Sequence, residues 1–147
     1  GGTLPGMFGT VEADGKVSDK THVRFVWGAQ GTLHQFMFAD TPENTTVFTT
    51  PANVHGSPMP TGRWVRVDQE VILNAPGVGN GKTRLWIDQV LRAEIRNADL
   101  RESPKMAIQG VSADVHFGQP TVNDKLGAGR AAKTEEIWIT PFEVRFN

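Results

Sequence analysis

Residues 61–92 read TGRWVRVDQEVILN (61–74), APGVGNGK (75–82) and TRLWIDQVLR (83–92). Apolar and polar side chains alternate through the first and third parts, as they do in half-buried β-strands. The middle part is rich in Gly, Pro and Asn, the residues that form tight turns. Two long strands joined by a turn are therefore predicted here, and they indicate a protein built from β-sheets.

Alternation also assigns the two faces of a strand predicted over Arg63–Asn74. One face is mostly apolar and is the predicted core face: Val65, Val67, Gln69, Val71 and Leu73. The other face mixes charged, polar and apolar side chains: Trp64, Arg66, Asp68, Glu70, Ile72 and Asn74. A mixed face of this kind is either a plain solvated surface or a binding surface.

Most of the chain repeats this pattern. Further strands are predicted at His22–Trp27, Leu33–Phe38, Thr45–Thr50, Thr83–Arg96, Met106–Phe117 and Glu136–Phe146. Convincing helical periodicity and internal repeats are missing, and Trp27 and Trp138 are predicted core residues. We expect one domain, residues 1–147, with an all-β fold in which two antiparallel sheets pack as a jelly-roll sandwich.

The composition excludes several classes of protein. The chain has 147 residues and a formal net charge of −1, so it lacks the basic excess of a nucleic-acid-binding protein. It contains no Cys, which excludes disulfides and fits a cytosolic or a secreted protein equally. No apolar run is long enough to span a membrane. The sequence begins Gly1-Gly2-Thr3, and we expect a processed product or part of a longer chain.

The strands His22–Trp27 and Leu33–Phe38 supply the most informative polar face. Alternation places His22 and Arg24 on one face of the first strand, opposite to Val23 and Phe25. In the second strand, alternation places one histidine and two phenylalanines on one face, namely His34, Phe36 and Phe38. A histidine has a pKa near neutrality, so His22 and His34 are candidates for proton transfer.

Four short stretches, in this order along the chain, bring a known family to mind. They are GGTLPGMFG (1–9), VRFVW (23–27) with FMF (36–38), the hairpin from Trp64 to Asp88, and the later segments LR (100–101), IQG (108–110), HFG (116–118) and PFEV (141–144). The chain resembles the family-14 polysaccharide lyases, which include alginate and glucuronan lyases. The resemblance implies a jelly roll of concanavalin A-like shape and an acidic, uronic-acid polysaccharide as the ligand. It also implies that leading strands of the fold precede Gly1, and we expect an extracellular or periplasmic location.

The resemblance further implies cleavage beside a uronic acid by β-elimination, and it assigns positions to this chemistry. Arg24 matches an arginine associated with neutralising the uronate carboxylate. Phe36 and Phe38 stand where the family has a pair of tyrosines, and phenylalanine has no hydroxyl with which to transfer a proton. Thr3 stands in place of a family Lys, and Gly28 in place of an Arg.

We therefore expect a site in which Arg24 neutralises the carboxylate and His34 transfers a proton. The residues expected to bind the substrate around them are His22, Phe36, Phe38 and Arg66. In this prediction the arginines contact uronate carboxylates and the phenylalanines supply apolar contact with the sugar rings.

Two alternatives to a lyase remain open from the sequence. One is a carbohydrate-binding, lectin-like module that does not cleave its ligand. The other is a jelly-roll subunit of an assembly, in which a partner chain completes the N-terminal side by strand addition. No metal or cofactor is expected, with the exception that Asp68, Glu70 and Asp88 are candidate ligands of a calcium ion.

Overall fold

The computed structural model describes residues 2–13, 16–27, 33–40, 59–117 and 136–146, with side chains given for 3–10, 21–27, 35–37, 59–115 and 136–146. Within these ranges the chain forms eight β-strands and no helix. The strands are β1 (Gly2–Ala13), β2 (Lys16–Trp27), β3 (Leu33–Asp40), β4 (Val67–Ile72), β5 (Gly81–Ile87), β6 (Val90–Ala98), β7 (Gly110–Ser112) and β8 (His116–Phe117). No helix in the described part of the chain is long and apolar enough to cross a membrane.

β1 is the central strand of a five-stranded antiparallel sheet. β2 pairs with one side of β1 and in turn with β3, while β7 and β8 follow one another along the other side of β1. No strand was predicted at Gly2–Ala13, and this omission was wrong. Pro5, Gly6 and Gly9 resemble turn residues, but Pro5 lies at an irregularity in the pairing of β1 with β2, where a strand tolerates proline.

β4, β5 and β6 form a three-stranded antiparallel sheet in chain order. The predicted hairpin is confirmed, since Ile72 pairs with Lys82 across the turn. The single strand predicted over Thr83–Arg96 is wrong, because a two-residue turn divides it. Asp88 and Gln89 form that turn with φ values of 49° and 66°, the left-handed conformation that tight hairpins require at both central positions.

Three other predicted strands differ from the structure or fall outside it. The segment Met106–Phe117 contains two short strands, β7 and β8, rather than one long strand. Residues 136–146 pair with none of the described strands and are exposed throughout, and Trp138 is 74% exposed rather than part of the core. The strand predicted at Thr45–Thr50 lies outside the described residues.

The two sheets pack face to face through two apolar clusters. The first joins Leu4 and Phe25 of the five-stranded sheet to a group from the other sheet, namely Leu85, Ile87 and Ala93. The second joins Val23 and Met37 to Ile95, Ala98 and Leu100. The partly buried side chains of Val65, Val71 and Leu73 pack against these clusters, as the alternation predicted. The all-β sandwich of two antiparallel sheets is thus confirmed, while jelly-roll connectivity and the single domain stay predictions.

Asn74 is fully buried at the point where the chain leaves β4. Its side-chain Oδ1 accepts hydrogen bonds from the backbone N–H groups of Leu100 (2.8 Å) and Arg101 (3.0 Å). Its Nδ2 donates to the Asp99 carboxylate at 2.8 Å and to the Arg101 carbonyl at 2.9 Å. Asn74 therefore ties the β4–β5 turn to the chain that follows β6. Alternation had placed it on the mixed outer face, which is wrong because it lies beyond the end of β4.

Candidate functional site

The candidate site lies on the outer face of the five-stranded sheet. Val23 and Phe25 point into the core, so Arg24 between them faces outward, as predicted. The register of β2 with β3 then sets five predicted site residues on neighbouring strands, with Arg24 opposite Phe36, His22 opposite Phe38 and Val26 opposite His34. For His34 and Phe38 the structure describes the backbone alone. Register therefore brings five of the six predicted site residues onto one face.

Arg24 is the centre of this face and is bound on two sides. Its side chain is only 19% exposed, and Nη1 donates a hydrogen bond to Oδ2 of Asp114 at 3.1 Å. Nη2 lies 3.3 Å from Nδ1 of His22. Because β1 separates β2 from β7, the side chain of Arg24 crosses β1 to reach Asp114, which follows β7. The guanidinium thus lies over β1, on the side away from Phe36.

Gly6 makes this crossing possible. It pairs with Arg24 on one side and with Ser112 of β7 on the other. A Cβ atom at Gly6 would lie 2.6 Å from Cα of Arg24 and 3.0 Å from its Cγ, and closer still to the carbonyl oxygen of Val23. Since the closest of these contacts are with backbone atoms, they cannot be relieved by a change of rotamer. A residue without a side chain is required beneath Arg24.

His22 is oriented by both of its neighbours. Its ring stacks against that of Phe8 in β1, with centroids 6.3 Å apart and an angle of 26° between the planes. A guanidinium can donate hydrogen bonds but cannot accept them, so the contact with Arg24 requires an unprotonated Nδ1. The neutral imidazole then has its proton on Nε2. In this tautomer the neutral His22 can donate a hydrogen bond from Nε2, and cannot take up a proton there.

The structure does not bring Arg66 to this face. Arg66 immediately precedes β4, in the other sheet, and its side chain makes a bidentate pair with Asp68 at 2.8–3.0 Å. The hydrogen bond with Asp68 raises the pKa of Arg66. The cation is already paired and lies on the outer side of the opposite sheet, apart from Arg24.

Ion pairs cover the outer face of the three-stranded sheet. Arg84 lies between Glu70 (3.0 Å) and Glu94 (2.8 Å), and Arg96 also binds Glu94 at 2.7 Å. Hydrogen bonds from Arg84 and Arg96 lower the pKa of Glu94. Register alone explains this row, because Glu70 lies opposite Arg84 and Arg84 opposite Glu94.

The three carboxylates considered for calcium each contact an arginine. Asp68 binds Arg66, Glu70 binds Arg84, and Asp88 binds Arg63 at 2.6 Å. Among the described residues, no group of three or more His, Asp or Glu side chains is arranged to hold a metal ion. Calcium binding stays a prediction from the sequence.

Sequence reasoning missed Asp114, Phe8 and the role of Gly6. Phe8 and Gly6 lie in the quoted GGTLPGMFG stretch, but no strand was assigned there, so no face was assigned either. Gly110, Ser112 and Asp114 are spaced two residues apart, so period-two alternation through this segment would have placed Asp114 on the same face as the other two. Its contact with Arg24 depends on the pairing of β1 with β7, which joins residues distant in the sequence.

A family model described as Polysaccharide lyase 14 matches residues 1–123. This range contains all eight described strands and therefore the whole of the candidate site. No curated protein and no solved structure shows a significant match to the chain.

Proposed function

The chain belongs to the polysaccharide lyase 14 family, and from this premise we propose that it binds a uronic-acid polysaccharide on the outer face of the five-stranded sheet and cleaves it by β-elimination. Family membership supports a polysaccharide lyase-like function. The observation that supports an acidic ligand is Arg24, a largely buried cation whose guanidinium lies at the centre of that face. Such polymers occur outside the cytoplasm of the cells that make them, so we propose an extracellular or periplasmic location.

Arg24 has the chemistry that the first step of β-elimination needs. A base removes the proton from C5 of the uronate, and negative charge spreads into the adjoining carboxylate. A guanidinium bound to that carboxylate stabilises the developing charge, most effectively where water is largely excluded. The bond between C4 and the glycosidic oxygen then breaks as an acid protonates that oxygen, which leaves a double bond between C4 and C5.

One histidine is the candidate for both proton transfers, and the other is a candidate hydrogen-bond donor. His34 lies on the same face by register, opposite Val26, and we propose that it removes the C5 proton and, as the imidazolium formed in this way, returns the proton to the leaving oxygen. His22 is neutral with its proton on Nε2, so we propose that it donates a hydrogen bond to the leaving oxygen and does not give up this proton, which would leave an imidazolate. Phe36 and Phe38 supply apolar contact with the sugar rings in this proposal, and neither can transfer a proton.

We expect the protein to release unsaturated uronates from alginate or glucuronan, followed by their ultraviolet absorbance. Arg24→Gln should lower kcat/KM by about 100-fold or more, because it removes the positive charge that stabilises the intermediate. His34→Gln should lower kcat by a similar factor, because it removes the proton-transfer group. His22→Gln should lower kcat less, because the amide can still donate a hydrogen bond. Arg66→Gln is the matched control on the other sheet and should leave kcat/KM within about twofold.

A second function is favoured by Phe36 and Phe38, which replace the two tyrosines expected from the family. In that case the protein binds acidic polysaccharide without cleaving it. Retention on an alginate column without any unsaturated product, under conditions where Arg24→Gln abolishes retention, would establish binding alone. Product formation that is unchanged in His22→Gln and His34→Gln would reject the assignment of both histidines.

A further inference from the structure

Asp114 is placed to influence every anion that approaches Arg24. It lies between β7 and β8, and its side chain is 52% exposed, whereas that of Arg24 is 19% exposed. The ion pair is therefore sheltered at the arginine and open to solvent at the aspartate. Because half of the Asp114 side chain already contacts water, a ligand that displaced it from Arg24 would leave its carboxylate hydrated.

A ligand carboxylate that binds Arg24 must share the guanidinium with Asp114 or replace it. Two carboxylates on one guanidinium lie only a few Å apart, and like charges at that separation repel each other strongly where water is scarce. Arg24 donates to Asp114 through Nη1 at 3.1 Å, whereas a ligand carboxylate can form two parallel bonds with a guanidinium. Replacement of Asp114 is thus feasible for a carboxylate ligand.

We propose that Asp114 is a specificity-determining residue of this site, whose carboxylate competes with ligand carboxylates for Arg24. The proposal rests on the function proposed above. A neutral polysaccharide cannot replace the anionic partner of Arg24 and gains nothing from the displacement of Asp114. A uronic-acid polymer that displaces Asp114 forms a new ion pair between its own carboxylate and Arg24. The competition therefore selects acidic polymers and reduces the affinity with which they bind.

Asp114→Asn tests the competition directly. The amide oxygen can still accept the hydrogen bond from Arg24 Nη1, so the substitution removes the charge and keeps the contact. We expect the Kd for alginate and for glucuronan to fall about threefold to tenfold, measured by calorimetry at one fixed low ionic strength. Asp114→Ser removes the carboxylate in another way and should also lower the Kd.

Two controls separate this effect from a general change in charge. Glu143→Gln changes the net charge equally but acts on a pair with Arg145 that is largely exposed, and it should alter the Kd by less than about twofold. Binding of neutral dextran should not change in any of these variants. In a protein that already carries Arg24→Gln, the further change Asp114→Asn should not lower the Kd for alginate, because the arginine for which Asp114 competes is absent.

The outcomes distinguish this inference from the proposed function. An unchanged or raised Kd in both Asp114 variants, while the parent protein binds alginate, would overturn the competition and leave the proposed function intact. An equal fall in Kd on Asp114→Asn in proteins with and without Arg24 would also overturn the proposed competition. If neither the parent nor any Asp114 variant binds alginate or glucuronan, the proposed function is rejected and the competition with it.

Discussion

Asn74 shows how one buried amide can join two distant parts of the chain. Its carbonyl oxygen accepts from two backbone N–H groups, and its amide donates to the Asp99 carboxylate and the Arg101 carbonyl. The Arg101 guanidinium returns to the carbonyl of Asn74 at 2.7 Å. No aliphatic side chain can supply these bonds, and the backbone groups that they satisfy are shielded from water.

Replacement of Asn74 by Ala should therefore destabilise the protein by about 3 kcal/mol or more, because it leaves several buried polar groups without partners. Asn80→Ala is the matched control in the same turn. Asn80 is exposed and accepts one hydrogen bond, from the N–H of Ala75, so its loss should cost about 1 kcal/mol. Urea unfolding of both variants measures the difference, and equal losses would contradict the role given to Asn74.

Among the elements, the β5–β6 hairpin has a turn that its sequence does not favour. Two-residue turns of this geometry prefer Asn-Gly, since both residues have positive φ, yet this one is Asp88-Gln89. The carboxylate of Asp88 offsets part of the strain by accepting hydrogen bonds from Arg63 at 2.6 Å and from the backbone N–H of Arg66 at 3.0 Å. Gln89, by contrast, is exposed.

Gln89→Gly should raise the free energy of unfolding by about 0.5–1 kcal/mol, because glycine adopts positive φ without steric cost. The reverse change at Gly77, which has a φ of 72° and open space around it, is the control. Gly77→Ala should lower stability by a similar amount. Thermal unfolding measures both variants, and a loss of stability in Gln89→Gly would contradict the account of the turn.

Patterns within a single strand were predictable from the sequence, and pairings between distant strands were not. Period-two alternation separated the two faces of β2 and of β3 and predicted the hairpin of β4 and β5. It missed the turn at Asp88-Gln89 because glycine is absent there and the stabilising contact comes from Arg63. It missed β1 because its proline and glycines resemble breakers. Residues 136–146 alternate well, but alternation cannot indicate whether a partner strand is present.

The same distinction applies to the site. Alternation placed His22 and Arg24 on one face of β2 and Phe36 on one face of β3, because each strand determines its own faces, and the family resemblance joined the two faces in one site. It could not separate Arg66 from them, because the assignment of strands to sheets depends on long-range pairing. Asp114 was missed for the same reason, since it reaches Arg24 only across β1.

At the scale of the whole molecule, carboxylates paired with arginine make stability depend on acidity. Hydrogen bonds from Arg63 and from the backbone of Arg66 lower the pKa of Asp88, and those from Arg84 and Arg96 lower the pKa of Glu94. Each folded pKa is below its value in the unfolded chain, so the unfolded state binds protons first. The stabilisation is complete above the unfolded pKa, near pH 4, and is lost as the pH falls through the folded pKa.

The parent protein should consequently exceed Asp88→Asn in free energy of unfolding by the largest amount near neutral pH. This difference should decrease as the pH is lowered from 5 to 2. An asparagine cannot titrate, so the variant should show a smaller slope of unfolding free energy against pH in that range. Urea unfolding at a series of pH values measures the two slopes. Parallel curves would show that Asp88 titrates alike in both states.

The close approach over Gly6 has a consequence for how such a protein can diverge. A side chain at position 6 is compatible with the sheet only if the backbone around Val23 and Arg24 moves, so a mutation there alters the arginine although it lies on another strand. Loss of the arginine does not by itself relieve the clash, because the closest contact is with the carbonyl of Val23. Related proteins that have lost the arginine at position 24 would therefore still need glycine at position 6. The glycine alone would be poor evidence that a related protein has retained the chemistry of the arginine.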